Sequence, residues 1–174
     1  MNKEKNNSII LTGLPGSGKS TVGKFLSDKT GFGFIDLDSL IEETEGLKIT
    51  EIFAKFGEKY FRTLETDMIK TLKSKNSFIL STGGGTFQNE DNILLLKNLG
   101  TVFYLNVSPD IIYERIKGDR TRPLLNTKDP KAALFDLLLK RDENYKKADY
   151  TVNAAQNVDD TANEILNIYE KNKR

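Results

Sequence analysis

The sequence has no cysteine, no histidine and no tryptophan, and only two methionines and four prolines among 174 residues. Without cysteine there is no disulfide, thiolate ligand or thiol nucleophile. Without histidine there is no imidazole metal site and no Ser-His or Cys-His pair. Carboxylates, lysines, arginines, hydroxyls and the backbone must therefore carry any chemistry. Excess charge is missing too: 26 basic against 25 acidic residues leave a net charge of +1, so no bulk field draws the chain to nucleic acid or to a membrane surface. A polyanionic ligand must be gripped locally. No apolar run approaches the roughly 20 residues of a spanning helix, and the hydrophilic segment 1–7 carries no apolar signal core. The expectation is a cytoplasmic protein with no nucleic-acid or membrane partner, folded as one domain over residues 1–174.

What is present begins with Ser8-Ile-Ile-Leu-Thr-Gly-Leu-Pro-Gly-Ser-Gly-Lys-Ser-Thr21, an apolar strand running into GxxxxGK[ST]. Glycines let backbone N–H groups curl around an anion, and the helix that follows points its positive N-terminus at the same spot. In such a loop Lys19 reaches the β- and γ-phosphates of a nucleoside triphosphate and Ser20 offers its hydroxyl to Mg²⁺. A glycine turn with no ligand is the bland alternative.

Short apolar runs at 8–11, 33–35, 78–80, 101–107 and 150–152 alternate with amphipathic stretches, which predicts a parallel sheet covered by helices on both faces. Helices are expected at 19–29, 39–45, 57–74, 90–98, 109–117, 130–146 and 158–171. Ser108-Pro109-Asp110 supplies an N-cap, a first-turn proline and a dipole-matching acid. The polar stretch 117–129 reads as the one mobile segment. In an open α/β sheet, ligands lie beyond the carboxyl ends of the strands, so the residues after each apolar run matter most.

After the second run stand Asp36 and Asp38, which strand alternation would place on one side. One carboxylate suits support of Mg²⁺, and the other suits accepting a proton from an attacking hydroxyl. Alternatively Asp38 simply caps the helix from Ser39. After the third run comes Ser81-Thr-Gly-Gly-Gly-Thr86, glycine-rich where many phosphate-loop proteins carry an acid. Three glycines let a ligand approach the main chain closely.

Arginine is scarce: six against 20 lysines. A chain that otherwise uses lysine has its few arginines where a planar fork for carboxylate or phosphate is wanted. Arg141 follows Leu134, Leu137 and Leu138 on an apolar helix face, so it needs an anionic partner or must snorkel to solvent. Arg62 stands three residues before Glu65, beside the stripe Phe61, Leu64, Met68 and Leu72. The pair is either a surface salt bridge or a partly enclosed one that orients a ligand. Arg120 and Arg122 lie in the mobile stretch, as a solvated basic loop or as cations that close over a phosphate.

Taken in order, Gly13 to Ser20, Asp36-x-Asp38, Gly57-Glu-x-x-Phe-Arg-x-x-Glu65, Gly83-Gly-Gly85, Arg122-Pro-Leu-Leu125 and Arg141-x-x-x-Tyr145 resemble shikimate kinase over nearly the whole chain. The resemblance implies a three-layer α/β/α P-loop kinase fold with a five-stranded parallel sheet in the order 2-3-1-4-5, a substrate-binding subdomain near 37–65 and a lid near 116–129. The implied reaction is Mg²⁺-assisted transfer of the γ-phosphoryl group of ATP to the 3-hydroxyl of shikimate, by a monomer. Carried over residue by residue, Gly13, Gly16, Ser17, Gly18, Lys19, Ser20 and Thr21 hold the nucleotide, Ser20 and Asp36 the metal. Asp38, with Lys19 and Arg122, is catalytic. Arg62 and Arg141 clamp the substrate carboxylate, Gly83, Gly84 and Gly85 give it a backbone site, Phe53 and Phe61 wall it, and Glu65 is a secondary polar contact. Arg115 packs on adenine, and Arg122 closes on the phosphates. Leu14-Pro15 departs from the aromatic or other residue followed by methionine that is more frequent in that family, and the same loop occurs in other small-molecule and nucleotide kinases, so the loop alone does not choose the acceptor. A gluconate kinase of the same fold and a silent ATP-binding module are the competing expectations.

Overall fold

A computed structural model describes residues 7–117 and 127–172. The order is β1 (Ile9–Thr12), α1 (Lys19–Thr30), β2 (Gly33–Asp36), α2 (Leu37–Glu45), α3 (Ile49–Thr71), β3 (Phe78–Ser81), α4 (Glu90–Leu99), β4 (Thr101–Asn106), α5 (Pro109–Ile116), α6 (Pro130–Tyr145), β5 (Tyr150–Asn153) and α7 (Val158–Lys171), with 3₁₀ turns at Leu72–Ser74 and Thr86–Gln88. The five strands are all parallel, in the order β2-β3-β1-β4-β5. This is the expected P-loop kinase sheet.

Burial explains why the strands were plain in the sequence. β1 lies at the centre with all four residues buried, and β3 likewise; strands covered on both faces read as unbroken apolar runs. β1 pairs with β3 on one side and β4 on the other, in register Ile10 with Leu80 and with Val102. From β1 the chain passes to the edge strand β2, returns inward to β3 beside β1, and then crosses to β4 and β5 on the other side. A crevice at the carboxyl end of such a strand is the usual place for a ligand, and residues 13–18 fill that position here.

Two elements differ from expectation. β2 ends at Asp36 and α2 begins at Leu37, so Asp36 and Asp38 do not share a strand face. Asp36 is the helix cap, its Oδ1 accepting from Ser39 N at 3.3 Å, and Asp38 lies in the first turn. The alternative of Asp38 as the cap fails for the same reason. The helix expected from 57 begins at Ile49 and turns at Gly57, where φ is 80° and ψ 173°. That conformation is open almost only to glycine, so the residue that looked like a helix start is an internal bend. The bend brings Phe53 and Phe61 together, ring centroids 4.8 Å apart. Among the described residues no helix is long and apolar enough to cross a membrane.

Candidate active site

The phosphate loop is held by its neighbours. Gly16 has φ 83°, and a Cβ there would lie 2.9 Å from side-chain carbons of Ile112 and Ile116, so this position requires glycine on both grounds. α1 starts at Lys19 with Gly18 as its N-cap and no side chain satisfying its first N–H groups; those donors and the helix dipole face the loop. Lys19 is buried, and its Nζ donates to the carbonyls of Gly13 and Leu14, each at 2.9 Å. A cleft of about 650 Å³ runs from this loop, past Ser20 and Thr21, to residues 154–158. Arg115 crosses its far end, donating to Ala154 O at 2.8 Å and approaching Ser17 O at 3.5 Å. Its guanidinium is therefore fixed at that end of the cleft.

At the near end, Ser20 Oγ donates to Asp36 Oδ2 at 2.7 Å and lies 3.3 Å from Ser81 Oγ. All three groups are hard oxygen donors, the kind Mg²⁺ takes. No group of three or more metal-ligating acids gathers among the described residues. The donor set thus fits a cation that keeps much of its water and shares phosphate oxygens.

Asp38 faces the opposite wall of this space. Its Oδ1 is buried and has no hydrogen-bond partner among the described residues. Burial pushes its carboxyl up to about 6, aided by the charges of Asp36 and Glu65 and opposed by Lys19 and Arg62. Glu65 has no solvent exposure; one oxygen takes Arg62 Nη1 at 2.7 Å and the other the Thr86 hydroxyl. Arg62 also binds the exposed Glu58 at 2.8 Å. The enclosed reading of the Arg62–Glu65 pair is the one realised.

The three glycines are pinched between these groups. A Cβ on Gly83 would sit 2.7 Å from Asp38 Oδ1, one on Gly84 2.7 Å from Pro15 Cγ, and one on Gly85 2.6 Å from Arg62 Nη1. Arg141 joins them from α6, Nη1 donating to Gly84 O at 2.9 Å. Its expected anionic partner is not found among the described residues; the Gly84 carbonyl takes one N–H, and the guanidinium also lies against the Tyr145 hydroxyl. Phe61 is buried, and Phe53 is partly open beside it.

Asp38, Arg62, Glu65, Gly83, Gly84, Gly85, Arg141, Phe53 and Phe61 therefore share one side of the phosphate loop, and Arg115 the other. Arg120, Arg122 and most of the expected lid lie outside the described residues. Sequence reasoning did not single out Pro15, Ser81, Gln156 or Asn157 as site residues. Gln156 and Asn157 line the cleft just beyond β5, where the carboxyl-edge rule would have found them. Ser81 ends β3, where the same rule points, whereas Pro15 gave no such signal because its contact with Gly84 lies far along the chain.

The family model described as shikimate kinase matches residues 15–170. Shikimate kinase of Thermodesulfovibrio yellowstonii is 39% identical over 165 residues, covering 94% of this chain and 95% of that protein. The solved structure of shikimate kinase from Acinetobacter baumannii in complex with shikimate matches with a TM-score of 0.89 at 39% identity, over 95% of this chain and 94% of that one. A gluconokinase from Sinorhizobium meliloti, at 17% identity and a TM-score of 0.66 over 97% of this chain and 94% of that one, shares the fold alone. The chain belongs to the shikimate kinase family.

Proposed function

We propose that this protein transfers the γ-phosphoryl group of ATP to the 3-hydroxyl of shikimate, giving shikimate 3-phosphate. Transfer of this kind needs the donor phosphate and the acceptor hydroxyl in line, with the charge on the moving group offset. Gly13 to Thr21 bind the triphosphate through backbone N–H groups, and Lys19 exchanges the carbonyls of Gly13 and Leu14 for the β- and γ-phosphates. Arg115 lies against the adenine. Ser20 and Asp36 hold Mg²⁺, which neutralises phosphate charge when bound. Arg62 and Arg141 take the shikimate carboxylate, with Glu65 holding Arg62 in place. In that exchange Arg62 releases Glu58, an exposed partner worth at most about 1 kcal/mol. Asp38 accepts the hydrogen bond, and then the proton, of the attacking hydroxyl. Phe53 and Phe61 cover the ring. Arg122 closes over the phosphates from a lid at about 116–129, and the acceptor subdomain spans about 37–65. The enzyme works as a cytoplasmic monomer.

What favours a carboxylate-bearing acceptor is the convergence of Arg62 and Arg141 on one glycine turn, with the unpartnered Asp38 Oδ1 beside it. Gluconate also carries a carboxylate, but the near full-length relatives are shikimate kinases. Incubation with Mg·ATP and shikimate, followed by ³¹P and ¹H NMR of the product, tests the reading. A new phosphate ester coupled to the proton at C3 is expected; unreacted shikimate, or an ester at another hydroxyl, would count against it.

A further inference from the structure

The Gly84 carbonyl accepts two hydrogen bonds, from Arg141 Nη1 at 2.9 Å and from the Tyr145 hydroxyl at 2.5 Å. A carbonyl oxygen has two lone pairs, so both are engaged. Tyr145 is fully buried and stacks on Tyr104, ring centroids 5.1 Å apart. It stands four residues after Arg141 on α6, so the two side chains leave the same helix face toward the same oxygen. Burial holds its phenol above the ordinary pKa against the opposing pull of Arg141, which keeps the hydroxyl a donor. Pro15 closes on Gly84 from the phosphate-loop side. Gly84 is thus pinned from both directions.

We propose that Tyr145 is a positioning residue for the acceptor: by filling one lone pair of the Gly84 carbonyl, its hydroxyl limits Arg141 to a single N–H there and leaves the rest of the guanidinium fork for a ligand carboxylate. Without that hydroxyl, the exposed lone pair draws a second N–H from Arg141. The fork then turns onto the protein and away from the ligand, because the half-buried carbonyl gains a second, charge-assisted hydrogen bond by it. The turn also loses its anchor opposite Pro15. Tyr145 touches no reacting atom in this arrangement; it acts through Gly84 and Arg141.

The inference rests on the shikimate reading above, so wild-type turnover is measured alongside the variants. Tyr145→Phe keeps the ring and its stacking on Tyr104 and removes only the hydroxyl. Steady-state kinetics should show a shikimate KM raised about fivefold, the effect of one hydrogen bond, with kcat and the ATP KM little changed. In an Arg141→Lys background the same change should add less than about twofold, because the fork it positions is already gone. An unchanged shikimate KM would overturn the proposal, as would an equal rise in the ATP KM, which marks a general structural defect. Full multiplication of the two substitutions' effects would do the same. Absence of wild-type shikimate turnover would instead overturn the acceptor assignment and this inference with it.

Discussion

A carboxylate that takes a proton from a hydroxyl works best when its own proton affinity lies near the working pH. Asp38 is placed for this by burial and by the neighbouring charges of Asp36 and Glu65, which lift it from 3.8 to about 6. Activity of the free enzyme should therefore fall about tenfold per pH unit below that value, as Asp38 protonates. A kcat/KM profile flat down to pH 5 would remove it from the base role. Asp38→Asn should lower kcat by about 10²–10⁴ while leaving the ATP KM nearly intact; near-normal turnover would contradict that. The same shift has a consequence for stability. The folded state holds this proton more tightly than the unfolded chain does, so the favourable contribution is complete below 3.8 and is lost as pH rises through about 6. Above that, the ionised buried carboxylate costs up to about 3 kcal/mol. Asp38→Asn should consequently melt higher than wild type at about pH 8, with the advantage shrinking toward about pH 4. Equal melting temperatures at the upper pH would mean that Asp38 is better solvated than its burial implies.

At the scale of elements, the bend in α3 sets Phe53 against Phe61 beside the proposed acceptor site. Gly57 has open space around its Cα, so its requirement is conformational, not steric. Gly57→Ala should cost about 1–3 kcal/mol from the positive φ alone and lower the melting temperature by roughly 2–4 °C for each of those kcal/mol. Because Phe53 and Arg62 lie on opposite sides of the bend, the shikimate KM should rise as well. A variant with unaltered melting and KM would show that α3 can straighten freely. This element also marks a limit of sequence reading. The helical turn from Ile49 to Phe56 went unread, because a glycine reads as a boundary when the chain beyond it is unseen. Strands were legible because β1 and β3 are covered on both faces, and the phosphate loop because its glycines and Lys19 are contiguous. The acid at the end of β2 was legible in chemistry but not in geometry: only the start of α2 at Leu37 reveals Asp36 as the cap. Arg141 reads in the sequence as needing an anionic partner or snorkelling to solvent; helical spacing cannot show the Gly84 carbonyl, 57 positions away, that takes one of its N–H groups.

Over the whole molecule, one link between the proposed donor and acceptor sites runs through Pro15. Lys19 now holds the carbonyls of Gly13 and Leu14, and the next residue, Pro15, rests against Gly84. Phosphates that take Lys19 away from those carbonyls let the loop resettle, and Pro15 passes the change to the acceptor turn. Calorimetric titration should therefore find shikimate binding at least about fivefold tighter with Mg·ADP present than without it. Identical affinities would mean that the sites are independent. Both halves of the sheet contribute to the proposed acceptor side, Asp38 and Arg62 from the elements after β2 and Arg141 from α6 before β5, while the phosphate loop and Arg115 form the proposed donor side. Their common purpose is tested most directly by the rate of ADP formation at saturating Mg·ATP, with shikimate and gluconate offered in parallel at equal concentrations. Rapid turnover with shikimate and background turnover with gluconate is the expected result; turnover with gluconate alone, or with neither, would contradict it.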